Sequence, residues 1–339
     1  MVHLMRAIGA VAALIWRLAM PAAAADAIVL DLPVDCTVGL TCAIQQYVDH
    51  DPSPGARDYQ CGTLSYDGHN GTDFRLPSLA AQRAGVNVLA AADGVVARVR
   101  DGMADAAIAA GGIAALGKAL CGNGVSISHR DGWETQYCHL AKDSVRVRPG
   151  QRVGAGHVLG QVGLSGATEF PHLHFTVRRH GEIVDPFAFG AAADSCGGGA
   201  ALWRASLQPA LSYQARAVLN TGFAAAAVSM AEIEAGTVSA LAEAGADAAA
   251  IVAFVRSIGL KAGDVQQLSI RAPDGGVLIE HVANRLERHQ AQSLLFAGKE
   301  RPPGGWPAGL YVASYRVLLD GQLVLEKNFA LSLRPRQQR

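Results

Sequence analysis

Pro171-His172-Leu173-His174-Phe175-Thr176-Val177 is the stretch on which the reading of this chain turns. Successive side chains of a β-strand point to opposite faces. His172, His174 and Thr176 therefore share one face, and Leu173, Phe175 and Val177 share the other. One face suits a hydrophobic core and the other suits chemistry. The same rule applied to Thr135-Gln136-Tyr137-Cys138-His139-Leu140 puts Thr135, Tyr137 and His139 together, opposite Gln136, Cys138 and Leu140. Two histidine-bearing strands are thus expected to present imidazoles to a common groove, with Tyr137 read as packing. A third segment, His69-Asn70-Gly71-Thr72-Asp73, offers an imidazole and a carboxylate four residues apart, with Gly71 permitting a tight turn between them.

A catalytic zinc ion keeps about three protein ligands, drawn from imidazole nitrogen or carboxylate oxygen, and leaves a fourth position for water. His69, Asp73 and one histidine of the His172/His174 pair would supply that set. The histidines left over would lie beside the water. Imidazole titrates near pH 6.5, which suits it to accept the water proton, pass it to a leaving amine, or hydrogen-bond a developing oxyanion.

In this order, the HxxxD segment His69–Asp73, the YxHL segment Tyr137–Leu140 and the HLHF segment His172–Phe175 resemble the M23 or LytM group of peptidoglycan metallopeptidases, related to lysostaphin. The resemblance covers about residues 60 to 190. It extends to Val88-Leu89-Ala90-Ala91, Asp93-Gly94-Val95-Val96, Ile127-Ser128-His129, Val147 to Val153 and Asp185-Pro186-Phe187. It implies one Zn2+ per chain held by His69, Asp73 and His174, with His139 and His172 as catalytic histidines that do not bind metal. His172 is taken as the general base and His139 as the transition-state stabiliser, although spacing alone does not separate the two. It also implies an antiparallel β-sheet with an open groove, and hydrolysis of peptide bonds in peptidoglycan. The alternative is a non-catalytic LytM-type regulator that activates a cell-wall amidase. Such members typically lack some zinc ligands, whereas all three positions are filled here. Cys138 stands where Gly or Ala would be expected.

Outward from the histidine strands, Val86 to Ala91, Gly94 to Val99, Gly124 to Ser128, Glu134 to His139, Val158 to Val162 and Leu173 to Val177 read as short strands separated by glycines. Farther on, Gln214 to Leu219, Val265 to Ala272 and Leu310 to Leu319 read as strands, with Asp274-Gly275 and Asp320-Gly321 as hairpin turns. The expected fold is mainly β: an antiparallel metallopeptidase domain followed by an immunoglobulin-like β-sandwich. The expected divisions are a signal peptide over 1–25, a turn-rich N-terminal extension over 26–60, the peptidase domain over 61–192, a linker over 193–203 and the sandwich over 204–339. Residues 26–60 precede His69 and are a candidate inhibitory cover for the groove. Residues 101–120 read as an inserted helix or loop able to reshape it, and Ala240 to Ser257 as a helix-compatible stretch inside the sandwich.

The 339-residue chain balances 29 Lys and Arg against 29 Asp and Glu, so it carries no basic footprint for nucleic acid. Arg6, the apolar run Ala7 to Met20 and the small residues ending at Ala25 read as a secretory signal, and no later stretch is apolar enough to span a bilayer after its cleavage. Six cysteines behind such a signal imply disulfides and a periplasmic or secreted location. Cys36 with Cys42 and Cys121 with Cys138, the latter flanking a hairpin, are the preferred pairs, leaving Cys61 with Cys196. The expected partners are a peptidoglycan peptide as substrate and an envelope protein bound through the C-terminal domain.

Overall fold

The computed structural model describes residues 27–106, 112, 116–192, 195–239, 241 and 245–334. The expected signal peptide, parts of the 101–120 insertion and the first residues of the expected linker lie outside them.

The described chain is mainly antiparallel β. Its first sheet runs in the order β1 (Ala43–Gln46), β2 (Thr72–Arg75), β9 (His172–Arg179), β6 (Trp133–Leu140), β5 (Asn123–Ser128), β4 (Gly94–Arg100) and β7 (Arg152–Val153). The short strand β10 (Glu182–Val184) pairs with β9, and β3 (Asn87–Leu89) pairs with β8 (Val158–Gln161). Leu173, Phe175 and Val177 lie on the covered face of β9, where Phe74, Tyr137, Ile127 and Val96 from neighbouring strands join them in one buried core. Each such side chain contributes about 1.5–3 kcal/mol by leaving water. The opposite face carries the polar positions.

The second assembly of strands comprises a three-stranded sheet, β11 (Ala217–Ala224), β12 (Ala250–Leu260) and β15 (Gln290–Glu300), and a four-stranded sheet of β14 (Val277–Val282), β13 (Asp264–Arg271), β16 (Gly309–Leu319) and β17 (Gln322–Leu333). Ile251, Ala253 and Val255 of β12 meet Leu268, Ile270, Tyr315 and Val317 of the other sheet in a single core.

Three expectations change. The helix-compatible stretch at Ala240 to Ser257 forms most of strand β12 after a short 3-10 turn at Gly245–Asp247. Ile251, Val252, Val255 and Ile258 are β-branched and buried on both faces between β11 and β15, so packing overrides the helical preference of the alanines. The turn-rich extension contributes an edge strand, β1, paired with β2. The stretch expected as a linker is fastened to the first core: Leu30 N–H donates to Leu202, and Leu202 and Trp203 are buried beside Leu30 and Phe74. The three disulfides pair as expected, Cys36–Cys42, Cys61–Cys196 and Cys121–Cys138.

Two short helices face one another where the assemblies meet, α1 (Leu79–Ala84) and α2 (Met230–Ala235). Glu234 of α2 accepts hydrogen bonds from Arg75 of β2, at 2.6 Å, and from Arg256 of β12. Arg256 and Asn220 also donate to the carbonyl of Pro77, at 2.6 and 3.0 Å. Ala43, Leu219 and Ile258 add a small apolar contact across the same junction.

Candidate metal centre and active site

The register of β2 against β9 sets Asp73 opposite His174 and Arg75 opposite His172. Directly paired residues of an antiparallel sheet share a face, so Asp73 and His174 meet on the groove side. His69 reaches them from the preceding loop. Its Nε2 lies 3.2 Å from Asp73 Oδ1 and 3.2 Å from His174 Nδ1, and the last two atoms are 2.9 Å apart.

The hydrogen bonds behind these side chains fix which atoms face inward. His69 Nδ1 donates to the Tyr47 carbonyl at 2.6 Å, leaving Nε2 with a lone pair. His174 Nε2 donates to Asn70 Oδ1 at 3.0 Å, with the Thr176 hydroxyl also at 3.0 Å, leaving Nδ1 with a lone pair. Two imidazole lone pairs and a carboxylate oxygen therefore converge with no proton between them, an arrangement that demands positive charge. The spacing fits a small divalent ion. Bonds of about 2.0–2.1 Å in a tetrahedral site set ligands about 3.3–3.4 Å apart, slightly more than the separations found here.

The field of the cluster carries the same message. Burial works against the Asp73 charge, but the neighbouring imidazoles of His69, His172 and His174 together hold its carboxyl well below the usual carboxylate range. Burial likewise opposes a charged His69, yet Asp73 raises its pKa overall.

His139 and His172 stand beside this cluster, with ring centroids 4.7 Å apart. His139 Nδ1 donates to the Ser165 carbonyl at 2.8 Å, and His172 Nδ1 faces the Phe170 carbonyl at 3.0 Å and the Thr168 hydroxyl at 3.1 Å. Each Nδ1 facing a carbonyl carries the proton, so each Nε2 is free to accept one. His172 Nε2 lies 3.5 Å from Asp73 Oδ1. Burial, and then the nearby charges of His172 and His174, push His139 well below the usual imidazole range; burial also lowers His172, against the pull of Asp73.

His139 reaches the groove by a route that strand alternation does not give. Tyr137 pairs with Phe175 and Cys138 with His174, so Tyr137 belongs to the core and Cys138 to the groove. Continued alternation would bury His139 beside Tyr137. Between the pairs Val125–Tyr137 and Asn123–Leu140, however, Gly124 alone opposes both Cys138 and His139. This is a β-bulge, and His139 takes a left-handed backbone with φ of 63°. Its N–H donates to the Cys121 carbonyl, and its own carbonyl accepts from Gly163. The expected shared face of Thr135, Tyr137 and His139 is therefore corrected. The Tyr137 hydroxyl instead accepts from the Ala91 N–H at 2.8 Å and has no exposure.

The groove is a cleft of about 650 Å3 whose walls include Tyr66, Asn70, Thr168 and Phe170 as well as the histidines. Sequence reading left these four out, although Asn70 lies within the HxxxD segment. Of the extension, only Gln46 reaches the described lining. The rest of it supports the site from behind, through the Tyr47 carbonyl. The insertion is pinned at its start, where Asp101 accepts from the N–H groups of Asp143 and Val145, and Asp105 from those of Lys142 and Leu164. Lys118 and Leu120 at its end line the groove.

An antiparallel β groove holding a His, Asp, His triangle beside two proton-accepting imidazoles defines a candidate metallohydrolase. Residues 67–186 match the model of peptidase family M23. The chain is 38% identical over 102 residues to the cell division protein DipM of Caulobacter vibrioides, covering 28% of this chain and 16% of that protein. It is 32% identical over 117 residues to the peptidoglycan DD-endopeptidase ShyA of Vibrio cholerae, covering 34% and 22%. With the DD-carboxypeptidase/endopeptidase Mpg of Neisseria meningitidis it shares 34% over 119 residues, covering 35% and 22%. The chain thus spans a quarter or less of the length of these relatives.

Proposed function

We propose that the chain is a zinc-dependent endopeptidase that hydrolyses peptide bonds in cell-wall peptidoglycan, with one Zn2+ held by His69, Asp73 and His174. The observation that carries this reading is the convergence of three unprotonated ligand atoms within 2.9–3.2 Å, each oriented by a hydrogen bond or strand register behind it. When bound, zinc supplies electrophilic polarisation of the scissile carbonyl and makes water a stronger acid. His172, whose Nε2 lies 3.5 Å from Asp73 Oδ1, accepts the proton of the attacking water at Nε2 and returns it to the leaving amine. His139 hydrogen-bonds the oxygen on which charge develops. The low pKa values of both rings keep them unprotonated and ready for these roles at neutral pH.

The peptidase domain of this reading is residues 61–192. The C-terminal strands, taken as an immunoglobulin-like sandwich, serve as an accessory that positions it or meets an envelope protein. Three disulfides and the expected leader support a periplasmic or secreted location. A second reading is the non-catalytic regulator of a cell-wall amidase. The filled ligand set and the two additional histidines favour the hydrolase.

Purified peptidoglycan digested with the wild type and with Asp73→Ala, beside a protein substrate, tests this proposal. Muropeptide release by the wild type alone supports it. Cleavage of the protein but not of peptidoglycan redirects it to another substrate.

A further inference from the structure

The groove does not stop at the histidines. Lys118, Cys121, Gln136 and Arg178 line it and also line a second cleft of about 740 Å3 on the same side of the sheet. Arg98 and Arg100 stand on the far wall of that cleft. Four cationic side chains thus share it with one acid, Glu134, which lies 3.0 Å from Arg98 and 3.7 Å from Arg178. On a chain of zero formal net charge this is a local excess of positive charge.

The guanidinium groups retain binding capacity. Arg98 donates to Ser126 and Glu134, Arg178 to Gln136, and Arg100 to the Gly122 carbonyl. Each therefore commits one or two of its five N–H donors to the protein. The three arginines line a cleft in which a carboxylate could be held by two parallel hydrogen bonds.

Sheet register gives the distance to the candidate metal centre. Arg98 lies opposite Ser126, Ser126 opposite Gln136, and Gln136 opposite Thr176. Thr176 in turn contacts His174. Three strand spacings of about 4.8 Å make roughly 14 Å, the length of about four residues of extended peptide.

We propose that this cleft is a specificity subsite for a carboxylate-bearing arm of the peptide substrate, which lies across β9, β6, β5 and β4 with its carboxylate about four residues from the bond placed at the histidines. The proposal rests on the peptidase reading and deepens it. Stem peptides of peptidoglycan carry free carboxylates, and amidation of those groups would remove the feature that the arginines read.

The test uses the full chain and two matched stem peptides, one with free carboxylates and one with carboxamides. Binding is measured by calorimetry on His172→Ala, and cleavage on the wild type. The acidic peptide is expected to bind about tenfold more tightly than its amide, a preference that weakens with salt. Arg98→Gln combined with Arg100→Gln in the same background should bring the ratio within about twofold of unity, with melting temperature and zinc content retained. Lys118→Gln, which removes an exposed charge, gives a smaller loss of preference and serves if the double variant does not fold. Equal binding of the two peptides, or a preference unaffected by these substitutions, overturns the subsite. A preference without cleavage keeps the subsite and refutes the peptidase. Cleavage without preference does the reverse.

Discussion

Glu234→Gln puts the junction between the two strand assemblies to the test. Glu234 is the shared acceptor of two guanidiniums, and the side chains of Arg75 and Arg256 are 1% and 0% exposed against 22% for Glu234. Burial, relieved by Glu234 and reinforced by Arg256, lowers Arg75 to about 10, so it remains charged at neutral pH. Removing one partner of a buried pair costs about 3–5 kcal/mol. The partial exposure of Glu234 and the acceptor oxygen kept by Gln bring the expected loss to about 3 kcal/mol. At about 2–4 °C per kcal/mol for a chain of this size, differential scanning calorimetry should show a fall of about 6–12 °C. The effect should reach the candidate site. The Arg75 guanidinium lies 4.1 Å over the Phe170 ring, which stands 4.8 Å from His172. Turnover should therefore fall severalfold while bound zinc is unchanged. A melting shift under about 2 °C would refute the reasoning, because it would mean that the two buried guanidiniums do not need this carboxylate.

His139→Asn, chosen because Asn tolerates the left-handed backbone at φ 63°, should lower turnover by about 10²–10⁴ with zinc retained; activity within threefold of wild type would remove His139 from the chemistry. The acid limb of kcat/KM, recorded at saturating zinc, should lie below the free-imidazole value of about 6.5. Burial depresses His139 and His172, so their proton-accepting forms persist as pH falls and are lost only below that value; a midpoint above 6.5 would contradict this. The same depression makes the fold less stable as pH drops through the window beneath about 6.5, where the unfolded imidazoles take up protons first. Replacing Cys121 and Cys138 together by serine opens a link of sequence separation 17 and should cost about 3 kcal/mol, read as a lower midpoint in urea; an unchanged midpoint would show that the bulge beside it holds without the bond.

The residues of the candidate site were legible because their chemistry is written in short segments. Alternation in His172 to Val177 sorted core from groove, and the structure keeps that sorting. It failed at His139, because a bulge reverses alternation, and the residue that makes room for it, Gly124, lies on another strand. The Ala240 to Ser257 stretch misled because alanine favours a helix only where packing does not decide. Helix α2 had a readable start: Ser229 and Glu232 form a reciprocal capping box. The Arg75–Glu234–Arg256 cluster was beyond sequence reading, since its members are far apart in the chain and meet only across the junction.

The most direct test of the central claim is zinc content of the purified chain by elemental analysis, paired with muropeptide release from peptidoglycan by the wild type and by His172→Ala. The account predicts about one zinc per chain in both proteins, the number that a single set of three ligands holds, and release by the wild type alone. Zinc bound by the wild type with no release would contradict the hydrolase and leave the regulator reading in its place.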